Sequence, residues 1–388
     1  MTQSYCDKNS SSSPQDLSTS FHCRENVGSM ANEEANIGIG DHDVIYNILS
    51  RLPGKPLLRF RRVSKHWNRL ISDPYFMKLR SRRVILLTYT RPLVVIDDND
   101  ENTYYVTRIR HHLQHTRVSI VGTFNGIALL ALYDYTWLEY CQLILYNPLT
   151  CASKKLVSMG EPYKPLDGYV FGFGYGATTD NLKIVRFDVF RHLKQEVFKY
   201  DVFDLKTSSW SKPPQYLTED FIFTGDKVGR FLNGVLYWMI TEPCYRILAL
   251  NVKEMVFWKT KVPYELMYTW PLLGSIDGCL CMINSGIDVG RYDLWVSKDQ
   301  GGVEISWLKA HSFTIRLEPH LRNNLFLFYI LGNGKILIAD TSSTLLVMYD
   351  MFKDSYKTID LESCRGYGLH TILPIEYVES LVSPSDMC

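Results

Sequence analysis

The chain is 388 residues long, 46% apolar and 21% charged, with a net charge of +1, the composition of ordinary globular protein with room for two domains. It has no apolar run after a basic start and no stretch near the roughly 18 apolar residues of a membrane helix, which argues against a secretory signal and a membrane partner. Nine cysteines, odd in number and without framework spacing, point to a reducing interior, cytosol or nucleus.

Residues 1–40 are rich in Ser, Asn and acidic residues and have no apolar period, so the run through Ser10–Ser13 and Pro14 reads as a disordered tail. From Asp41 the texture becomes helical. Asp41 or Asp43 can cap a first helix carrying Val44, Ile45, Ile48, Leu49 and Leu52. Leu52-Pro53-Gly54 breaks it, and Pro56 suits the first turn of a second helix with Leu57, Leu58, Phe60 and Val63. Ser64 can cap a third helix with Trp67, Leu70 and Ile71 inward, ending before Asp73-Pro74. Three helices this short leave apolar surface for a partner or for the following domain. Between Asp41 and Arg83 eleven Lys/Arg stand against three Asp, a surplus of eight, which leaves the remainder about seven negative.

After Arg83 the pattern turns to strands, beginning at Val84–Tyr89. Residues 84–382 carry a loose two-part repeat, with a short tail at 383–388. Its first part is Asn/Asp-Gly before an apolar run: Asn125-Gly126, Asn233-Gly234, Asp277-Gly278 and Asn333-Gly334. These dipeptides supply the positive φ angles of tight hairpins, so each predicts two antiparallel strands. The second part is a strand ending in Asn or Asp, a turn, then an aromatic residue, at Asn147, Asp204 to Trp210, Asn251 to Trp258, and Asp350 to Tyr356. A degenerate copy runs from Phe171 to Arg186. Units of about 45–55 residues with four short strands are what propeller blades look like, giving about six blades, the first barely recognisable. A twisted β-sandwich would use the same hairpins. The fold class is therefore α+β and multidomain: three helices at 41–83, then an all-β domain at 84–382.

Ile48-Leu49-Ser50-Arg51-Leu52-Pro53, Lys55, Leu57 to Arg61, Val63-Ser64-Lys65, Trp67 and Leu70-Ile71 together resemble the F-box of plant F-box proteins. The family usually opens with Leu-Pro about eight residues before the Ile-Leu pair; here Gly40-Asp41 stands there. Tyr169 to Tyr175, Phe231 to Gly234, Tyr237-Trp238, Tyr292 to Val296 and Tyr377 to Val382 resemble the F-box-associated interaction domain of the F-box/kelch-repeat and S-locus-F-box-like type. The resemblance implies a kelch-like propeller and a non-catalytic substrate-recognition subunit of an SCF-type ubiquitin ligase. It implies docking on a Skp1-like adaptor, and through it a cullin, by Ile48, Leu49, Leu52, Pro53, Leu57, Leu58, Val63, Trp67 and Leu70. Periodicity alone does not settle which of these face a partner and which pack inward.

Catalytic and metal-binding patterns find little support. Cys279 and Cys281 share one face of a strand by period two and read as core thiols, and no second pair completes a zinc site near them or near His111-His112 and His115. Gly172-Phe173-Gly174-Tyr175-Gly176 lacks the helix and the Lys-Ser/Thr of a phosphate loop, and its aromatics suggest a packed turn. No Gly-x-Ser-x-Gly elbow appears, so neither enzyme chemistry nor a cofactor is expected. The helical module read as a DNA-binding helix-turn-helix would use Arg59, Arg61, Arg62, Lys65 and Arg69. Trp67, Leu70 and Ile71 leave few base-reading positions, and Leu52 to Pro56 is stiffer than that motif needs, so no nucleic-acid partner is expected.

Recognition is expected of aromatic loops, which give rigid contact area at low entropy cost. The foremost is Tyr133 to Tyr140, with Tyr133, Tyr135, Trp137 and Tyr140 as candidate target-binding residues. Glu161 to Tyr169, Gln215 to Phe223 and Tyr264 to Trp270 read as similar loops. The target protein is not legible in them. An alternative reading is a non-enzymatic protein-binding module with weak or lost adaptor docking, with Gly40-Asp41 as its sign; a propeller enzyme is a further one.

Overall fold

The computed structural model describes residues 41–387, with interruptions at 53, 74 and 78–82 and at a series of loops, among them 109–115, 135–140, 157–168, 286–290, 316–324 and 361–372. The predicted tail at 1–40 and the His111 cluster lie outside the described residues. The chain from Tyr46 onward forms one compact unit.

Three helices come first: α1 (Asp41–Arg51), α2 (Gly54–Phe60) and α3 (Lys65–Ser72). The predicted cap of α3 is present, Ser64 Oγ accepting from Trp67 N at 3.1 Å, which satisfies one of the donors a helix start leaves open. At the other end Asp73 N–H donates back to Leu70 O, and the Asp73 side chain accepts from Tyr75 N at 2.7 Å. Phe60 and Trp67 meet edge to face at 5.5 Å, as do Tyr46 and Phe76 at 5.1 Å.

Among the described residues twenty-six strands follow, in six antiparallel sheets. The second sheet is β4 (Thr116–Phe124), β5 (Ile127–Asp134), β6 (Cys141–Tyr146) and β7 (Ser153–Lys155). The third is β8 (Tyr169–Tyr175), β9 (Leu182–Asp188), β10 (Val197–Asp204) and β11 (Ser209–Trp210), with β12 (Gln215–Thr218) also on β10. The fourth holds β13 (Ile222–Phe223), β14 (Arg230–Leu232), β15 (Val235–Glu242), β16 (Cys244–Asn251) and β17 (Val256–Lys261). The fifth is β18 (Leu272–Ile276), β19 (Cys279–Ser285), β20 (Arg291–Ser297) and β21 (Trp307–Thr314), and the sixth β22 (Leu325–Ile330), β23 (Lys335–Asp340), β24 (Leu345–Asp350) and β25 (Ser355–Asp360). The first sheet joins both ends of the domain: β26 (Leu373–Val378) pairs with β1 (Arg83–Thr88), followed by β2 (Pro92–Asp97) and β3 (Tyr104–Arg108). Strands β26, β4, β8, β14, β18 and β22 neighbour one another in that order and return to β26. That closed ring of sheets is a propeller and sets the sandwich aside.

The cores lie between neighbouring sheets, and period two assigns each strand residue to one side or the other. On β5, Leu129 joins Phe171 and Ile184 toward the third sheet, while Leu130 joins Val95 and Tyr377 toward the first. On β15, Trp238 packs with Val185 and Phe187, while Tyr237 and Met239 pack with Leu280 and Met282. A strand covered on both faces needs a continuous apolar run, which is why Ile127–Leu132 carries no polar residue.

Two turn families repeat around the ring. Asn125-Gly126, Asn233-Gly234 and Asp277-Gly278 have positive φ at both residues (46° and 77°, 50° and 82°, 48° and 74°), the backbone of a two-residue hairpin. The fourth predicted hairpin differs. Only Gly334 is positive, at 78°, and the turn closes through Leu331, whose N–H donates to Lys335 O at 2.8 Å. The second family turns on an Asx side chain. Oδ1 of Asn147, Asp204, Asn251 and Asp350 accepts the N–H groups two and three residues on, the mechanism that makes Asn and Asp turn residues. Four residues on from each, Cys151, Ser208, Met255 and Asp354 take positive φ.

Two expectations need correction. Gly172 to Tyr175 is strand, the end of β8, and not a packed turn. A Cβ on Gly172 would lie 2.5 Å from Trp238 Cζ2, and one on Gly174 2.3 Å from Phe231 Cδ2. The glycines let aromatic side chains of the fourth sheet press onto the strand backbone. Gln215 to Phe223 is not one recognition loop either: it holds the edge strands β12 and β13. Cys281 is fully buried within the fifth and sixth sheets' shared core, where burial pushes its thiol up, away from thiolate chemistry.

Candidate docking site

The helical module splits its apolar residues between inside and outside. Leu49, Leu57, Leu70, Ile71 and Phe76 are buried, whereas Ile48 is 55% and Val63 60% exposed, and Tyr75 is exposed as well. Leu52, Leu58 and Trp67 are half-buried, and Pro53 lies outside the described residues. Ile48 and Leu49 are adjacent on α1 because a helix turns one stripe inward, whereas Val63, expected on the second helix, lies in the turn between α2 and α3. Ile48 and Val63, a little over half exposed, forgo roughly half of the about 1.5–3 kcal/mol that full burial of such a side chain gives, and that surface is available to a partner.

The module is also seated on the ring. Gly54 opens α2, and a Cβ there would stand 2.6 Å from Leu149 Cδ1 and 2.7 Å from Glu379 Oε2. Leu149 belongs to the Asx turn after β6, and Glu379 follows directly on β26. All three residues are buried. Burial lowers the Lys55 ammonium from its ordinary value, Cys151 acts to raise it, Arg59 lowers it further, and Glu379 acts to raise it. Sequence reasoning found Gly54 only as a helix breaker. That it abuts two residues 95 and more positions away has no local signal.

Behind this seat the end of the chain is tied down by Asn147, which is fully buried. Its Nδ2 donates to Ser380 O at 2.9 Å and to Val382 O at 2.8 Å, and Tyr377 Oη donates to its Oδ1 at 3.4 Å. Val382 and Met387 then cover the core between the second and third sheets.

Of the aromatic loop candidates, Tyr133 lies on β5 opposite Cys141, and Tyr135, Trp137 and Tyr140 lie outside the described residues. Tyr264 opens a 3-10 turn through Leu266 and is highly exposed. No group of three or more metal-ligating side chains occurs among the described residues, and no helix among them is long and apolar enough to cross a membrane.

Comparison with known proteins agrees with this architecture. Residues 41–79 match the F-box domain family, and residues 77–384 match the F-box associated beta propeller domain family. Neither is a family of enzymes. F-box protein CPR1 of Arabidopsis thaliana is 26% identical over 366 residues, covering 83% of this chain and 84% of that protein. F-box protein At5g49610 of the same plant is 29% identical, covering 58% and 64%. The putative F-box/kelch-repeat protein At3g17540, also of Arabidopsis thaliana, is 23% identical, covering 88% and 91%. A short helical F-box followed by a closed ring of six sheets, matched over nearly all of residues 41–384, places this chain in the family of F-box proteins with an F-box-associated β-propeller domain.

Proposed function

We propose that the chain is the substrate-recognition subunit of an SCF-type ubiquitin ligase, in which the F-box docks on a Skp1-like adaptor and the propeller captures a target protein for ubiquitination. The observation that carries the reading is the F-box with Ile48 and Val63 left exposed on a module otherwise packed through Leu49, Leu57 and Leu70. Such a subunit acts by proximity: it raises the effective concentration of target lysines near a conjugating enzyme held elsewhere in the complex. The surplus of positive charge in the module suits an acidic partner by steering the encounter.

The test is co-purification of the full chain with a Skp1-like adaptor. Ile48→Asp with Val63→Asp alters two side chains that are more than half exposed; with an unchanged melting temperature as the check on folding, loss of at least about tenfold in adaptor affinity is expected, equal to about 1.4 kcal/mol. Binding of the double variant at wild-type strength overturns the docking assignment. Gly40-Asp41 in place of Leu-Pro favours a second reading, a binding module with weak adaptor docking. It requires that Gly40→Leu with Asp41→Pro strengthen adaptor binding severalfold.

A further inference from the structure

The end of the ring at which the innermost strands finish opens on a cavity of about 430 Å³. Five sheets contribute to its wall, through residues that include Phe124 at the end of β4, Leu232 on β14, Asp277 after β18, and Glu376 and Val378 on β26. The hairpin turns and strand ends around it are bonded to one another across sheets. Asn233 Nδ2 donates to Gly278 O at 3.3 Å, Asp277 N donates to Gly332 O at 3.1 Å, and Thr123 Oγ1 donates to Glu376 O at 2.8 Å. A rim held this way is formed before any ligand arrives, which lowers the ordering cost of binding.

The charge of this mouth is one-sided. Asp277 and Glu376 line it, and no Lys or Arg does among the described residues. Glu376 has company deeper in the channel, where Tyr329 Oη accepts from its N–H at 3.3 Å and the Arg230 guanidinium lies 3.9 Å above the Tyr329 ring. Asp277 differs. Its side chain is exposed, and among the described residues it takes no ion pair. Beside it, Phe124, Leu232 and Val378 offer apolar wall, and Phe352, 61% exposed, lies over Gly334 on the next sheet's turn. A methylene stem ending in a cation has the same two halves, apolar along its length and charged at its tip.

We infer that this mouth takes a lysine or arginine side chain presented by the protein that the propeller captures, its stem against Phe124, Leu232 and Val378 and its head at Asp277. The inference rests on the receptor reading above and assigns the capturing surface to the turns at this end of the ring. Asp277 occupies a left-handed position that Asn adopts equally well, so Asp277→Asn removes the charge and keeps the turn.

The full chain is titrated calorimetrically with three capped pentapeptides, Gly-Gly-X-Gly-Gly with X arginine, lysine or norleucine. At least one cationic peptide is expected to bind about tenfold more tightly than the norleucine peptide, with that margin shrinking as salt is raised. Asp277→Asn is expected to remove the margin without lowering the melting temperature. Equal binding of all three peptides, binding of none at millimolar concentration, or a margin that survives in folded Asp277→Asn overturns the inference. Affinity purification from cells separates the two readings. Adaptor retained with targets lost in Asp277→Asn supports both, adaptor and targets both retained overturns the mouth alone, and adaptor absent from wild type overturns the receptor reading whatever the peptides do.

Discussion

Among the described residues Asn147 is the one member of the Asx-turn family whose amide nitrogen also donates, and replacing it with Asp isolates that donation. Asn147, Asp204, Asn251 and Asp350 all accept two backbone N–H groups through Oδ1, so a carboxylate is as good a turn-former as an amide. Asn147 Nδ2 additionally donates to Ser380 O and Val382 O in a fully buried site. In Asn147→Asp both donations are lost, each about 1 kcal/mol net, and a carboxylate oxygen faces two carbonyl oxygens away from water. An uncompensated buried polar group adds about 1–3 kcal/mol more, so the total is at least about 3 kcal/mol. For a domain of this size that is about 5 °C or more in melting temperature. The introduced carboxyl is held protonated above its usual range by the same surroundings. The folded state therefore binds a proton more tightly than the unfolded one, and part of the loss is regained as pH falls through the raised pKa. The control is Asp350→Asn, whose Oδ2 only meets the highly exposed Lys353 at 3.6 Å, and it is expected to lie within about 0.5 kcal/mol of wild type. Differential scanning calorimetry of both variants at neutral and mildly acidic pH decides the matter. Asn147→Asp melting within a degree of wild type would refute the argument, as would Asp350→Asn costing as much.

Two further outcomes follow from close packing at glycines. Gly54→Ala places a methyl group against Leu149 and Glu379, both buried, and is expected to cost about 1–3 kcal/mol, seen as faster hydrogen exchange in residues 46–77 with the propeller's own amides unchanged. Gly172→Ala drives a methyl group into Trp238, whose Nε1 donates to Phe171 O at 2.9 Å. It is expected to destabilise by about 1–3 kcal/mol, with the loss smaller in a Trp238→Phe background by about 0.5 kcal/mol or more in a double-mutant cycle.

What the sequence made legible was local. Asn125-Gly126, Asn233-Gly234 and Asp277-Gly278 announce hairpins because few other dipeptides accept two successive positive φ angles. Ser64 was legible as a cap for the same local reason. The failures were non-local. Gly172-Phe173-Gly174 reads as a turn because glycine is depleted in strands, yet its glycines answer to Trp238 and Phe231 from the neighbouring sheet. Edge strands β12 and β13 are short and largely exposed, so they carry no alternation to read. The first unit was barely recognisable because its innermost strand, β26, stands at the other end of the chain. In the helical module, α2 is two turns long and rests on Leu149 and Glu379 as well as on α3. Periodicity within the module therefore could not divide Leu49, Leu57 and Leu70 from Ile48 and Val63.

Ring closure and the seating of the F-box module depend on the same short segment. β26 pairs with β1 to complete the first sheet, and the residues that follow it, Glu379, Ser380 and Val382, touch Gly54 and bond to Asn147. A ring left open at β26 would lack the floor on which α2 rests, so loss of the closing strand should loosen the helices as well as the sheets. The converse does not hold, because no described strand pairing involves α1, α2 or α3. For the receptor proposed above, this asymmetry has a use. A target held at the ring's mouth and an adaptor held on the helices keep a fixed separation only in a chain whose last strand is in place, and proximity catalysis depends on that separation.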